Sequence, residues 1–310
     1  MDRRTLLVAG AATASSWPSQ AVAQTPATIR IGIGLNDSGL LPIYAQELGM
    51  LQPAGIAFDV QTFNNNGLIT QAIVGGALDV GVVDALQVAN AVIHGIPLAF
   101  FAGGALFTHD SGTLVLVTAK SSPYHNARDL EGQSVAVSSL NSLSAAGTKE
   151  WLHVNGADPA KVKLFELGLP EMNAALARGT VAAALQGEPF VSEAKADQRV
   201  LGVPYAAVAP AFYINGFVAS RDWLTKNGAL VGRLVPVIYQ VARWANTKRA
   251  ESAAIESRYT KIPLDIVNVM ARNAFATSLD TKLIDPPLAV GLRYGLISRP
   301  VRSDEVTFTG

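Results

Sequence analysis

The sequence contains no cysteine. Disulfides, thiolate metal sites, a thiol nucleophile and a lipidated N-terminal cysteine are therefore excluded. Histidine is scarce as well: His94, His109, His125 and His153 are the four, and no two stand three or four residues apart, so a His-rich metal site is not expected. There is no excess charge, with 24 Lys and Arg against 24 Asp and Glu, and the basic residues form no stripe and do not alternate with aromatics. Neither nucleic acid nor an anionic membrane surface is an expected partner. Beyond the N-terminus, no stretch reaches membrane-spanning length without a charge or a proline, so a soluble mature chain is expected.

What is present is enough apolar residue for substantial cores. At 310 residues and 49% hydrophobic content, the chain is long enough for two domains of common size. Residues 1–23 read as a leader: Arg3-Arg4, the mild Ala-rich run Leu6–Trp17, then Ala21-Val22-Ala23 as an A-x-A cleavage signal. Cleavage after Ala23 would make Gln24 the mature N-terminus. The paired arginines suit twin-arginine export and the layout also suits the general secretory route, so both stay open.

Along the mature chain, short strands and short helices alternate. Ile29, Ile31 and Ile33 mark a first strand that runs into the polar turn Gly34–Gly39; Pro42 then opens a helix that Gly49 stops. The glycines at 32, 34 and 39 make no dinucleotide fingerprint, because the third required glycine is Asp37. Ile56, Phe58 and Val60 form a second strand, followed by Asn64–Gly67 and a helix through Ile73. Leu78–Val83 is a third strand that empties into Asp84-Ala85. After a strand over Thr113–Val117, Lys120–Pro123 is the expected crossing between domains. Val162 and Leu164, Val181–Leu185 and Val200–Val203 are further strands, and Ala211–Ala219 is an extended return. Helix–Gly–strand–polar turn occurs in both Gln71–Ala85 and Ala175–Pro189, a short internal repeat of the kind two similar lobes leave. Beyond Trp223 the spacing predicts long amphipathic helices over Leu230–Ala245, Lys248–Tyr259 and Leu264–Ala276, with Leu288–Leu296 after Pro286-Pro287. This order argues for an α/β class with largely parallel sheets.

One stretch stands out for chemistry. In Gln133–Gly156, a strand at Val135 and Val137 and a helix ending at Asn155-Gly156 flank Ser138, Ser139, Asn141, Ser142 and Ser144. A helix starting there directs free N–H groups and the positive end of its dipole into the loop, which can hold an anionic or strongly polar small molecule without a basic side chain. The same residues also suit a simple cap and solvated turn. His109-Asp110-Ser111 is not a hydrolase triad, since adjacent residues cannot converge as nucleophile, base and orienter; no G-x-S-x-G occurs either.

Taken together, Pro42-Ile-Tyr-Ala45 with Leu48-Gly49, the helix–Gly–x–x–Asp-Val pattern of Ala72–Val80, Asp129-Leu-Glu-Gly132 leading to Val135, Ala175-Leu176 with Gly179-x-Val181 and Glu188-Pro189-Phe190, and Trp244-Ala-Asn246 with Glu251-Ser-Ala253 resemble one family. They are similar to exported substrate-binding proteins of ABC importers, in the group that carries nitrate, taurine, alkanesulfonates or thiamine-precursor pyrimidines. Ala182 departs from the acidic residue usual in the second V-D-A motif, and the Cys cluster of the pyrimidine-synthase relatives is missing.

The resemblance implies a two-lobed periplasmic-binding-protein fold of type II: mixed, mostly parallel sheets, helices on both faces and a cleft between lobes. Lobe 1 would comprise residues 28–118 and 215–310, and lobe 2 residues 119–214. It further implies a periplasmic monomer that binds a small-molecule ligand, has permease and ATPase partners, and uses no cofactor, no metal and no catalytic residue. The ligand would sit outside the carboxyl ends of the strands. Asn36, Asp37, Ser38, Leu40, Asp84 and Ala85 would form one rim; Ser139, Asn141, Ser142, Leu143, Glu188 and Pro189 the other, with Tyr213 and Asn215 closing the side. The expected ligand has a polar or anionic end on the helix that Ser142 starts and an amine or hydrogen-bonding end near Glu188.

Overall fold

A computed structural model describes residues 26–109 and 111–308. The leader and its cleavage point lie outside these residues. Every alternating apolar run in the first hundred residues becomes a strand: β1 (Ala27–Gly34), β2 (Ile56–Phe63), β3 (Val80–Val83) and β4 (Leu98–Gly103). Between them lie α1 (Leu41–Glu47), α2 (Asn66–Val74) and α3 (Ala85–Ile93). Left-handed glycines end the turns after α1 and α2, at Gly49 (φ 64°) and Gly76 (φ 73°), where a Cβ would be strained.

The chain leaves this sheet through β5 (Ala105–Thr108) and enters a second one by β6 (Leu114–Ala119). There follow β7 (Ser134–Val137), α4 (Leu143–Val154), β8 (Lys163–Glu166), α5 (Leu169–Ala177), β9 (Ala183–Gly187), α6 (Phe190–Glu193) and β10 (Gln198–Gly202). It returns through β11 (Ala211–Tyr213), and β12 (Gly216–Ser220) re-enters the first sheet. The strand orders are β2-β1-β3-β12-β4 and β8-β7-β9-β6-β10. Each sheet therefore holds four strands in one direction and one reversed strand, β12 or β6, which is the first strand laid down after a crossing. β3 and β9 occupy equivalent places, as the short repeat at Gln71–Ala85 and Ala175–Pro189 suggests.

Two expectations are corrected. The crossing is not at Lys120–Pro123: β6 already belongs to the second sheet, and the crossing strands are β5 and β11, which pair antiparallel with each other. Short strands flanked by apolar runs on both sides give no sequence sign of which sheet they join. The last part of the chain forms α7 (Arg221–Lys226), α8 (Gly228–Thr247), α9 (Arg249–Thr260), α10 (Leu264–Val269), the two-residue strand β13 (Ala274–Phe275) and α11 (Asp285–Arg293). The helix expected through Ala276 thus stops early. The Asn273 amide is taken by Asp37, and Ala274-Phe275 pair with β5, so the helical bonds are replaced by tertiary ones.

The main core joins β1, β2 and α1 to α8, and includes Ile29, Ile31, Tyr44, Leu234 and Val241. Among the described residues, no helix is long and apolar enough to cross a membrane.

Candidate functional site

Loops at the carboxyl ends of both sheets enclose a cavity of about 190 Å³. From the first sheet come Gly34, Leu35, Asn36 and Ser38 after β1, Thr62, Phe63, Asn64 and Asn66 around the end of β2, and Asp84 after β3. From the second come Ser138 and Ser144 after β7, Leu169 and Pro170 at the start of α5, and Leu114, Leu185, Phe190 and Tyr205. Ile214 and Asn215, between β11 and β12, close the side. A ligand crevice outside the carboxyl ends of strands is what an open α/β sheet offers, because helix N-termini and turns converge there.

Four of the residues expected at the site line this cavity: Asn36, Ser38, Asp84 and Asn215. Asn215 fixes the β1 loop. Its Nδ2 donates to the Ser38 carbonyl (3.1 Å) and hydroxyl (3.2 Å), while its Oδ1 accepts from the Ala105 amide (2.9 Å). Asp84 caps α3, accepting from the amides of Leu86 (2.9 Å) and Gln87 (3.3 Å). The Leu143 amide, the first of α4, also favours its charged form, so this carboxyl from the first sheet stands near a helix terminus of the second. Burial, only partly offset by those three amides, pushes its pKa up to about 7. Burial, and then the Asp84 charge, hold the Tyr205 phenol protonated far above its ordinary range.

The other expected residues are near but turned elsewhere. Asp37 is fully buried and points away from the cavity, bonded to Arg272 Nε (2.6 Å) and to the Asn273 amide (2.5 Å) and Nδ2 (2.6 Å). Leu40 and Leu143 are core residues, and Ala85 is the buried first residue of α3. Ser142 is the N-cap of α4. Its hydroxyl is used on the Ser139 carbonyl (2.8 Å) and on Ser144 Oγ (2.7 Å), and it is Ser144 and Ser138, 3.1 Å apart, that line the cavity. Ser139 and Asn141 instead border a wider groove of about 690 Å³ beside α2 and α3. Glu188 accepts from the Ser192 amide (3.0 Å) and hydroxyl (2.8 Å) at α6; Pro189 precedes that helix, and Phe190 lines the cavity in their stead. Tyr213 is buried in β11, its hydroxyl donating to the Ser278 carbonyl (3.0 Å) and accepting from the Asp280 amide (2.8 Å). Ser111 closes a turn on Thr108, and Asp110 lies outside the described residues.

Sequence reasoning missed the Asn64–Asn66 loop. It carried the same sign as the serine loop, short polar residues between a strand end and a helix start. Asn65 reaches across to the second lobe, donating to Glu166 Oε1 at 2.6 Å, and Glu166 Oε2 accepts from the Leu140 amide (2.9 Å). A second link runs from the Asp37 amide to the Glu188 carbonyl (3.3 Å). Among the described residues, no lysine, arginine or histidine lines the cavity, and no group of three His, Asp or Glu is placed to hold a metal ion.

The two sheets with their crossing strands are the type II periplasmic-binding-protein fold. The family model described as NMT1/THI5 like matches residues 39–251, and the chain belongs to that family. By sequence, no curated protein matches it. Among solved structures, the alkanesulfonate-binding protein SsuA from Xanthomonas axonopodis pv. citri bound to MOPS aligns with a TM-score of 0.77 at 18% identity, over 93% of this chain and 100% of that one. The periplasmic nitrate-binding protein NrtA from Synechocystis PCC 6803 aligns at 0.74 and 14%, over 90% and 84%. The desulfurization enzyme DSZB aligns at 0.67 and 16%, over 91% and 96%, so one scaffold serves binding proteins and an enzyme alike.

Proposed function

We propose that this chain is an exported, periplasmic solute-binding protein that captures a small polar organic or anionic solute between its lobes and delivers it to the permease and ATPase of an ABC importer. The observation that carries this reading is the cavity itself. It lies between the two sheets and is lined by short polar side chains and helix starts from both. A ligand there gains contacts from both lobes only when they are closed, which ties binding to a change of shape that a partner can read.

Its size sets the scale of the solute. An apolar cavity of 150 Å³ holds benzene, so about 190 Å³ suits roughly seven to nine non-hydrogen atoms. Sulfonate-, taurine- and nitrate-like solutes and single-ring pyrimidines all fall in or below that range. The alternatives are a ligand-binding protein that feeds a sensor, and a secreted enzyme on the same scaffold. The sequence has no cysteine, so an enzyme on this scaffold would have to work without a thiol nucleophile.

A thermal-shift screen over sulfonates, nitrate, amino acids, aromatic acids, amides and pyrimidines, followed by calorimetry on the hits, tests the reading. Binding at one site per chain that Asn36→Ala and Ser144→Ala each weaken at least about tenfold supports it. No hit in the screen, or affinity untouched by both substitutions, rejects it. Conversion of a bound hit, followed by NMR, would favour the enzyme.

A further inference from the structure

A helix starting at the serine loop offers its amides to an anion, yet the chain itself already supplies one. The Leu143 amide at the start of α4 favours the charged form of the Asp84 carboxyl, and the Leu86 and Gln87 amides at the start of α3 bond to it directly. Asp84 is 5% exposed and contacts the cavity, so its carboxyl sits where helix ends from two different lobes meet. A carboxylate has about four acceptor positions, and the Leu86 and Gln87 amides both bond Oδ1. Acceptor capacity on Oδ2 remains for the cavity.

Resting on the solute-binding reading above, we propose that Asp84 is the specificity-determining residue of the cavity: it fills the anion-binding end of α4 from within and selects a solute that turns an N–H donor, neutral or positively charged, toward it. A solute that presents only an oxyanion would meet a buried like charge, with no lysine, arginine or histidine among the described lining residues to offset it. The remaining lining is indifferent to charge. Asn36 and Asn64 carry amides that both donate and accept, while Phe63 and Phe190 offer apolar faces.

The ionisation of Asp84 provides a second handle, because its raised pKa, about 7, falls within reach of ordinary buffers. Tyr205 faces it and stays protonated; the first ionisable residues on α4 are Lys149 and Glu150, beyond its first turn, and Glu150 pairs with Arg293 of α11, the helix that packs against α3.

The test uses the solute screen on the full mature chain at pH 8, with wild type, Asp84→Asn and Asp84→Ser. Both replacements still cap α3, so folding is retained. The wild type is expected to bind hits that carry an N–H group, and in shape-matched sets such as benzoate, benzamide and benzamidinium, or acetate, acetamide and acetamidinium, to prefer the amide and amidinium. Nitrate, ethanesulfonate and the carboxylates should bind the two variants at least about tenfold more tightly than the wild type, and should gain on the wild type when the pH is lowered to 5.5. If either variant misfolds, the pH series on the wild type still decides. An N–H-free anion bound by the wild type at pH 8 as tightly as by the variants overturns the assignment while leaving solute binding intact. Failure of every solute with every protein rejects solute binding itself.

Discussion

Asp37 and Asp84 each follow a strand of the first sheet, each is buried, and each sits beside the cleft, yet their surroundings are opposite. Asp37 has a guanidinium: Arg272 bonds it at 2.6 Å, and on its other side reaches Glu256 at 3.0 Å and Tyr44 Oη at 2.8 Å. Asp84 has only backbone amides. The first arrangement joins the β1 loop to the segment before β13 and so to β5, the strand that crosses between lobes. The second leaves a carboxyl at the cavity wall that burial makes easy to protonate. A buried charge with a full partner set acts as structure; one with an incomplete set remains available to a ligand.

Breaking the first arrangement should have the largest effect. Arg272→Met strands the buried Asp37 carboxylate without a cation, and is expected to cost about 3–5 kcal/mol, read by urea denaturation. The same substitution in both places then sharpens the contrast. Asp37→Asn removes the partner of a buried guanidinium and should cost on the order of 2–4 kcal/mol at pH 8. Asp84→Asn keeps the α3 cap and removes a charge that burial disfavours, so it should be neutral or stabilising at that pH.

The pH dependence carries the sign of that difference. The Asp84 pKa rises from 3.8 to about 7 on folding, so between those values the folded chain holds a proton that the unfolded chain has lost. Its contribution to stability is full below about pH 4 and is lost as pH rises through 7. The stability of Asp84→Asn relative to wild type should therefore increase from pH 4 to pH 8, by on the order of 2–4 kcal/mol, measured by denaturant melts at both pH values. Glu256, pushed up to about 9 by burial and then by Asp37, stays protonated across this window and leaves the comparison undisturbed. The smallest effect belongs to the clasp between lobes. Asn65→Ala loses a partly exposed bond to Glu166 and an α2 cap, and should cost about 1 kcal/mol in stability. It should also weaken binding of any hit through faster release.

Much of this was legible in the sequence, because the periodicities of strand and helix are local. The Ile29–Ile33 alternation, the Gly49 and Gly76 stops and the serine-loop helix all appear where their residues require. What was not legible is which member of a polar turn faces inward. Ser142 and Ser144 differ by two residues and not at all in chemistry, but the cap of α4 consumes the first hydroxyl and leaves the second at the wall. Asp37 looked like a ligand carboxylate because its partner, Arg272, stands 235 residues away. Glu188 was lost to Ser192 in the short helix that follows it, and the early end of α10 reflects bonds to β5 and Asp37 that no nearby residue announces.

The insertion of β12 between β3 and β4 has a consequence in time. As the chain is synthesised, the second sheet has all five of its strands by residue 202, whereas the first lacks a middle member until residue 220 has emerged. The half that is made first is thus finished last: β3 stays unpaired along one side, and β4 has no neighbour in its sheet, until β12 arrives after the second sheet's last strand.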